Sequence, residues 1–178
     1  VESACDCVAA FGEVCPTVVV DGDVDRGARE HTLLHHIENS PKRLDYWQQG
    51  LAAIERVHRN GQYLSQAFAR NIIVCNDGQI GFIDFEDDPG RYMPLERCQS
   101  RDYLCYLQST AVWLQKHGLL DQAAVIWRQH SSSLPAALRT PIESAIRPIG
   151  WMRHLQAGFW GNDTLRLAAL AALFEQAK

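Results

Sequence analysis

The sequence has little lysine, no starting methionine and no long apolar run. Only three of its 17 basic residues are lysines, namely Lys42, Lys116 and Lys178. The chain begins at Val1, which is not a translational start, so we expect it to come from a longer or processed protein. No stretch reaches the roughly 18 uncharged apolar residues of a transmembrane helix, and the N-terminus lacks the features of a signal peptide. We therefore expect a soluble protein.

The chain also lacks an excess of positive charge. Its 17 basic and 21 acidic residues give a net charge of −4, which excludes a general nucleic-acid binder because phosphate binding needs a basic surface. A length of 178 residues, 47% of them hydrophobic, fits one domain with one core.

The six cysteines do not follow the spacing of a metal site. Cys5 and Cys7 form the only close pair, whereas zinc ligands are usually paired as C-x-x-C. The adjacent His35 and His36 point in different directions on either a strand or a helix. The sequence therefore predicts free thiols in a reducing compartment.

The first forty residues predict a small β region. Residues 14–20 are rich in β-branched side chains, residues 21–23 break the pattern, and residues 32–37 predict a second strand. Residues 2–11 predict a short helix, and the charged stretch 26–30 predicts a mobile loop.

The apolar period changes after Ser40, which predicts a helix ending near His58. Residues 64–70 are irregular, and the apolar runs 71–75 and 79–84 predict a hairpin closed by Asn76-Asp77-Gly78. Further helices are predicted over 102–117, 120–129, 134–146 and 163–176, with breaks at Pro135 and Pro141 and an N-cap at Asn162. The predicted fold is α+β, mainly α, with all five tryptophans packed in the core or between helices: Trp47, Trp113, Trp127, Trp151 and Trp160.

Two residues next to the hairpin are candidate ligands for a metal ion. Asn71 precedes the first strand and Asp84 ends the second, so the hairpin brings them to the same end. A carboxylate and an amide carbonyl are hard oxygen ligands suited to Mg²⁺, which commonly accompanies nucleotide phosphates. The alternative is a structural one, in which Asp84 accepts hydrogen bonds from turn amides.

Residues 44–106 resemble the C-terminal lobe of the protein-kinase-like superfamily, most nearly its bacterial branch of aminoglycoside phosphotransferases and lipopolysaccharide core sugar kinases. That branch carries H-x-D-x-x-x-x-N, then a hairpin, then I-D-F-E. Asn71 and Ile83-Asp84-Phe85-Glu86 match the asparagine and the aspartate that bind metal and ATP. Arg101-Asp102 resembles the Arg-Asp whose aspartate steadies the catalytic loop.

The resemblance implies a kinase-like C-terminal helical lobe over 41–178 and a remnant of an N-terminal β lobe with the hinge over 1–40. It also implies ATP and Mg²⁺ as cofactors, and phosphate transfer to a hydroxyl of a sugar, a lipopolysaccharide, another small molecule or a protein serine or threonine. A cytoplasmic location follows, with the inner-membrane surface and a peripheral membrane or protein partner as alternatives. The oligomeric state is left open.

The sequence departs from the family in its loop. Gln66 stands where the family has its catalytic aspartate, and an amide cannot accept a proton as a carboxylate does. Ser65, Gln66 and Arg70 are the polar residues closest to the expected transfer site, so they are the catalytic candidates. No lysine precedes Lys42 to meet ATP phosphates. Two rival hypotheses follow: a catalytically silent kinase-like module that binds a protein or cell-envelope partner, and an unrelated helical domain with a hairpin.

Three neighbouring features allow two interpretations each. His58 either interacts with the C-terminal dipole of its helix or braces the loop. The acidic run 86–88 is either a solvated turn or a source of further carboxylates for a cation. Arg70 either binds a phosphate or pairs with Asp102 or Glu86.

Overall fold

A computed structural model describes residues 31–75, 78–85, 87–155 and 160–178. The predicted helix over 2–11, strand over 14–20 and loop over 26–30 lie outside these residues, as do Asn76 and Asp77 of the predicted turn. The elements in chain order are β1 (His31–Thr32), α1 (Leu33–Asn39), α2 (Arg43–Arg59), β2 (Ile72–Val74), β3 (Ile80–Phe82), α3 (Leu95–Lys116), α4 (Leu120–Ser133), α5 (Ala136–Ile146) and α6 (Asn162–Gln176). Short 3-10 segments lie at Ala69–Asn71, Pro89–Arg91 and Arg147–His154.

The sheet is small and antiparallel, with strand order β1-β2-β3. Ile72 pairs with Phe82 and Val74 with Ile80, which confirms the predicted hairpin. His31 of β1 pairs with Val74 on the other edge of β2. A small sheet beside a larger set of helices confirms the α+β, mainly α, prediction.

The predicted strand over 32–37 is wrong beyond Thr32, which ends β1, because residues 33–37 belong to α1. The Thr32 hydroxyl accepts a hydrogen bond from the backbone N–H of His35 at 3.2 Å, which caps the helix. Leu33 and Ile37, four residues apart, are both fully buried on the same helix face. The apolar residues of this short run therefore face the core at helical spacing, not at the alternating spacing of a strand.

The later helices match the predictions in number but differ at their ends. Helix α2 agrees with the predicted helix ending near His58, whereas α3 begins at Leu95, seven residues before the predicted start. Pro141 lies inside α5 without breaking it, because the carbonyl that loses its partner belongs to the exposed Ala137 and can bind water. Gly161, not Asn162, is the N-cap of α6, with φ of 61°.

The core lies around α3, which packs against α2, α5 and α6. Trp47 and Trp127 are buried, as predicted, but Trp151 and Trp160 are 62% and 41% exposed. Trp151 lies in a 3-10 segment that has no buried residue, so the core placement predicted for it is wrong. Within the described part of the chain, no helix combines the length and apolar character needed to cross a bilayer.

Candidate functional site

The loop between α2 and β2 is held in place by Asp102 of α3. The Asp102 side chain is only 1% exposed, and its Oδ2 accepts a hydrogen bond from the backbone N–H of Leu64 at 2.8 Å. The same oxygen lies 3.0 Å from Nε2 of the buried His58. One carboxylate oxygen thus ties the end of α2 to the start of the loop.

Burial raises the pKa of Asp102, and hydrogen bonds from His58 and the Leu64 amide oppose that shift, as does the charge of Arg101. The position of His58 favours the bracing interpretation over a simple dipole contact, because its ring reaches the carboxylate that binds the loop. Its other face meets the Tyr103 ring edge-on, with centroids 5.0 Å apart.

Arg101 provides a second anchor for the loop. Its Nη1 donates to the Ser65 carbonyl at 2.5 Å, and its Nη2 lies 2.9 Å from Oδ2 of Asp87. Ser65 itself is buried, has a φ of 65°, and donates its hydroxyl to the Asp87 carbonyl. Ser65, predicted as a catalytic candidate, therefore holds the loop against the segment after the hairpin.

Asn71 and Asp84 meet at the base of the hairpin, as the sequence predicts. Nδ2 of Asn71 donates to Oδ2 of Asp84 at 2.9 Å and to the Gln66 carbonyl at 3.1 Å. The backbone N–H of Ile83 also donates to the Asn71 carbonyl at 2.9 Å. Asn71 is 5% exposed, and Asp84 is half-buried with a φ of 69°. A non-glycine residue in this conformation is uncommon and marks a position fixed by its surroundings.

The side chains of Gln66 and Arg70 are arranged differently. Gln66 is half-buried beside Asn71, and its backbone N–H donates to the Leu64 carbonyl at 2.6 Å. Arg70 is exposed, and its guanidinium lies 4.6 Å from the centre of the Phe68 ring. The suggested pairing of Arg70 with Asp102 is wrong, because the described partners of Asp102 are His58 and the Leu64 amide. Glu86, its other suggested partner, lies outside the described residues.

The described part of the acidic run is engaged in contacts within the fold. Asp87 pairs with Arg101, and Asp88 accepts from the Tyr63 hydroxyl and from Nε of Arg91 at 3.1 Å. The hydrogen bond to Asp88 raises the pKa of Tyr63 to about 12. These contacts favour the turn interpretation for Asp87 and Asp88.

One residue that holds the loop was missed from the sequence. Nε2 of the buried Gln99 donates to the carbonyls of Gln62 at 2.8 Å and His58 at 3.2 Å. Gln99 lies one helical turn before Asp102, so both project toward the loop. The late predicted start of this helix left Gln99 outside it.

The donor set at the hairpin base fits a magnesium ion carried by phosphates. The Asn71–Asp84 contact uses Nδ2 and Oδ2, so the atoms that a cation would take are Oδ1 of each side chain. Mg²⁺ is commonly held by one or two carboxylates with phosphate and water oxygens completing the shell. Among the described residues, no group of three or more His, Cys, Asp or Glu side chains is arranged to hold a metal by itself. The described cysteines, Cys75, Cys98 and Cys105, are buried.

No model of a known protein family, no curated protein and no solved structure matches this chain.

Proposed function

We propose that the chain is a kinase-like phosphotransferase domain that holds Mg-ATP through Asn71 and Asp84. The acceptor is a hydroxyl of a sugar, a lipopolysaccharide or another small molecule, and it lies beside residues 65–70. The observation that carries this proposal is the contact between Asn71 and Asp84 at the base of the hairpin. The contact brings an amide and a carboxylate side chain together beside a loop held by buried groups.

The anchoring of the loop supports the proposal. Phosphoryl transfer depends mainly on positioning and on neutralising charge, so the reacting groups need a rigid frame. Asp102, Arg101 and Gln99 bind backbone groups of the loop from α3. Burying these polar side chains is unfavourable unless they form hydrogen bonds. Once they are hydrogen-bonded, they make the loop rigid.

In the proposed reaction, the acceptor oxygen forms a bond to the γ-phosphorus as the bond from that phosphorus to the bridging oxygen breaks. A magnesium ion held by Asn71 and Asp84 would neutralise charge on the phosphates. The acceptor proton passes to solvent or to a phosphate oxygen, because Gln66 cannot take it. The Gln66 amide orients the hydroxyl by accepting its hydrogen bond, and the exposed Arg70 attracts the phosphate.

A second candidate is the catalytically silent module that binds a protein or cell-envelope partner. Gln66 favours it, because the residue leaves the loop without a proton acceptor at the family's aspartate position. In that case Asn71 and Asp84 hold the hairpin base and carry no catalytic cation.

The two candidates are separated by a thermal unfolding experiment on the native chain that carries this sequence. A ligand at one hundred times its Kd stabilises a domain of this size by about 5–10 °C. The phosphotransferase proposal predicts such a shift with Mg-ATP, and no shift with ATP and excess EDTA. Asp84→Asn should abolish the shift, and Asp163→Asn, a charge-matched change of a side chain that is 92% exposed, should retain it.

A transfer assay then distinguishes an enzyme from a nucleotide-binding module. Label moving from the γ-phosphate of ATP to a panel of sugars and lipopolysaccharide supports the phosphotransferase. Binding of Mg-ATP without transfer would contradict the transfer step and leave the proposed nucleotide site standing. Absence of a Mg-ATP shift in the intact chain contradicts the proposed nucleotide site.

A further inference from the structure

A cavity lies away from the hairpin, among α4, α5, α6 and the 3-10 segment Arg147–His154. Its volume is about 650 Å³, within the range of small-molecule binding sites. None of its lining residues belongs to the candidate nucleotide site. Its apolar walls come mainly from Trp127, Leu134, Ile142, Ile146, Trp151 and Phe174.

The net charge of the side chains that line the cavity is positive, whereas the net charge of the whole chain is negative. Arg139, Arg147, Arg153 and Lys178 line it together with two acids, Glu143 and Glu175, which leaves an excess of two positive charges. The chain has a net charge of −4. Basic groups are therefore concentrated around an apolar space, and this combination suits an anion that carries an apolar body.

The pairing of these charges indicates where an anion would bind. Arg139 lies 3.6 Å from Glu143, and Lys178 lies 2.7 Å from Glu175. Arg153 donates to the Gly150 carbonyl at 2.6 Å. Arg147 is exposed and has no acidic partner within 4.0 Å among the described residues, so its guanidinium is the donor best placed to meet a carboxylate.

Trp151 provides an independent observation at the rim. Trp151 lines the cavity, is 62% exposed, and lies in the same 3-10 segment as Arg147. The exposed ring therefore extends the apolar lining of the cavity to the protein surface.

We propose that this cavity binds a medium-chain acyl carboxylate. The acyl chain lies against the apolar wall formed by Ile142, Ile146 and Phe174, with Trp151 covering it from the rim. The carboxylate accepts hydrogen bonds from Arg147, in the bidentate geometry that guanidinium groups favour. This proposal does not depend on nucleotide binding at Asn71 and Asp84.

Isothermal titration of the native chain with sodium decanoate tests the proposal. We expect saturable binding of one decanoate, and binding of decanol that is weaker by about tenfold because it lacks the charged hydrogen bond. Arg147→Gln should weaken decanoate binding by about tenfold without changing decanol binding. Arg128→Gln, a matched loss of charge on α4 outside the cavity, should leave both unchanged.

A blocking variant tests the location. A Cβ built on Gly150 meets no atom within 4 Å, so Gly150→Phe can project into the cavity without a clash at its first atom. This variant should keep the circular dichroism spectrum of the native chain and lose decanoate binding. The proposal would be overturned if decanoate did not bind saturably, or if decanol bound equally well. It would also be overturned if both Gly150→Phe and Arg147→Gln left decanoate binding unchanged.

Discussion

At the scale of single residues, Asp102 is the most deeply buried of the three side chains that hold the loop. Its carboxylate is almost completely buried and accepts a backbone N–H of the loop while meeting the His58 ring. A buried carboxylate is costly unless its hydrogen bonds are satisfied, and removing one partner leaves the others unsatisfied. Asp102 therefore fixes the start of the loop at Leu64, while Arg101 and Gln99 hold other backbone groups.

Asp102→Ala should lower the free energy of unfolding by about 3 kcal/mol, because it leaves the Leu64 N–H and the His58 ring buried without their acceptor. Urea denaturation monitored by circular dichroism measures the change. Asp163→Ala is the control, because this carboxylate is 92% exposed and lies 3.6 Å from Arg166. Equal denaturation midpoints for the two variants would contradict a bracing role for Asp102.

The sequence predicted the contact between Asn71 and Asp84 but not the structural role of Ser65. Asn71 and Asp84 flank a hairpin, so pairing of its strands was enough to bring them together. Ser65 was predicted from its polarity alone, yet its hydroxyl is used within the fold. The left-handed backbone at Ser65 and Asp84 comes from tertiary contacts, and no local pattern indicates it.

At the scale of elements, the same short apolar run can form a strand or a helix. The run over 32–37 is too short for its period to decide, and the cap at Thr32 together with burial of Leu33 and Ile37 selects the helix. The longer α2 was predicted correctly because five apolar residues repeat along one face.

The contact between α2 and α3 depends on the absence of a side chain at Gly50. A Cβ there would lie 2.6 Å from a Leu33 methyl carbon and 2.7 Å from Cζ of Tyr106. The Tyr106 hydroxyl donates to the Trp47 carbonyl at 2.7 Å, so the ring has little freedom to move. Close approach of the two helices therefore requires glycine.

Gly50→Ala should destabilise the fold even though alanine is the better helix former. Helix propensity favours alanine by about 1 kcal/mol, whereas overpacking a core costs about 1–3 kcal/mol. Thermal unfolding should give a lower Tm than the native chain. Gly150→Ala is the matched control, because its Cβ meets open space and its Tm should not fall. A raised Tm for Gly50→Ala would show that the helices are not in close contact.

At the scale of the whole molecule, partly buried histidines make stability depend on pH. Burial lowers the pKa of His130, against the opposing charge of Glu55, and burial next to His35 and His31 lowers the pKa of His36. The unfolded chain then binds more protons than the folded chain below about pH 6.5. Stability therefore falls as the pH drops through that value toward the lower pKa of each folded group.

We expect His130 to lower the free energy of unfolding between pH 7 and pH 5, and His130→Phe to remove that contribution. The raised pKa of Asp102 acts in the opposite direction in both chains, so the comparison isolates His130. Phenylalanine retains the packing against Trp127 and Tyr103 but has no titrating group. The variant loses the contact between Nε2 and the Tyr103 hydroxyl at 3.2 Å, so it is less stable at pH 7. Urea denaturation at several pH values measures both effects, and an unchanged slope would exclude His130 as a source of the pH dependence.

Calorimetric titration of the native chain with ATP shows directly whether Asn71 and Asp84 together hold Mg-ATP. We expect saturable binding with Mg²⁺, loss of that binding with EDTA, and loss of it in Asp84→Asn but not in Asp163→Asn. Equal binding by native and Asp84→Asn chains, or no binding by the native chain, would contradict this role for the two residues.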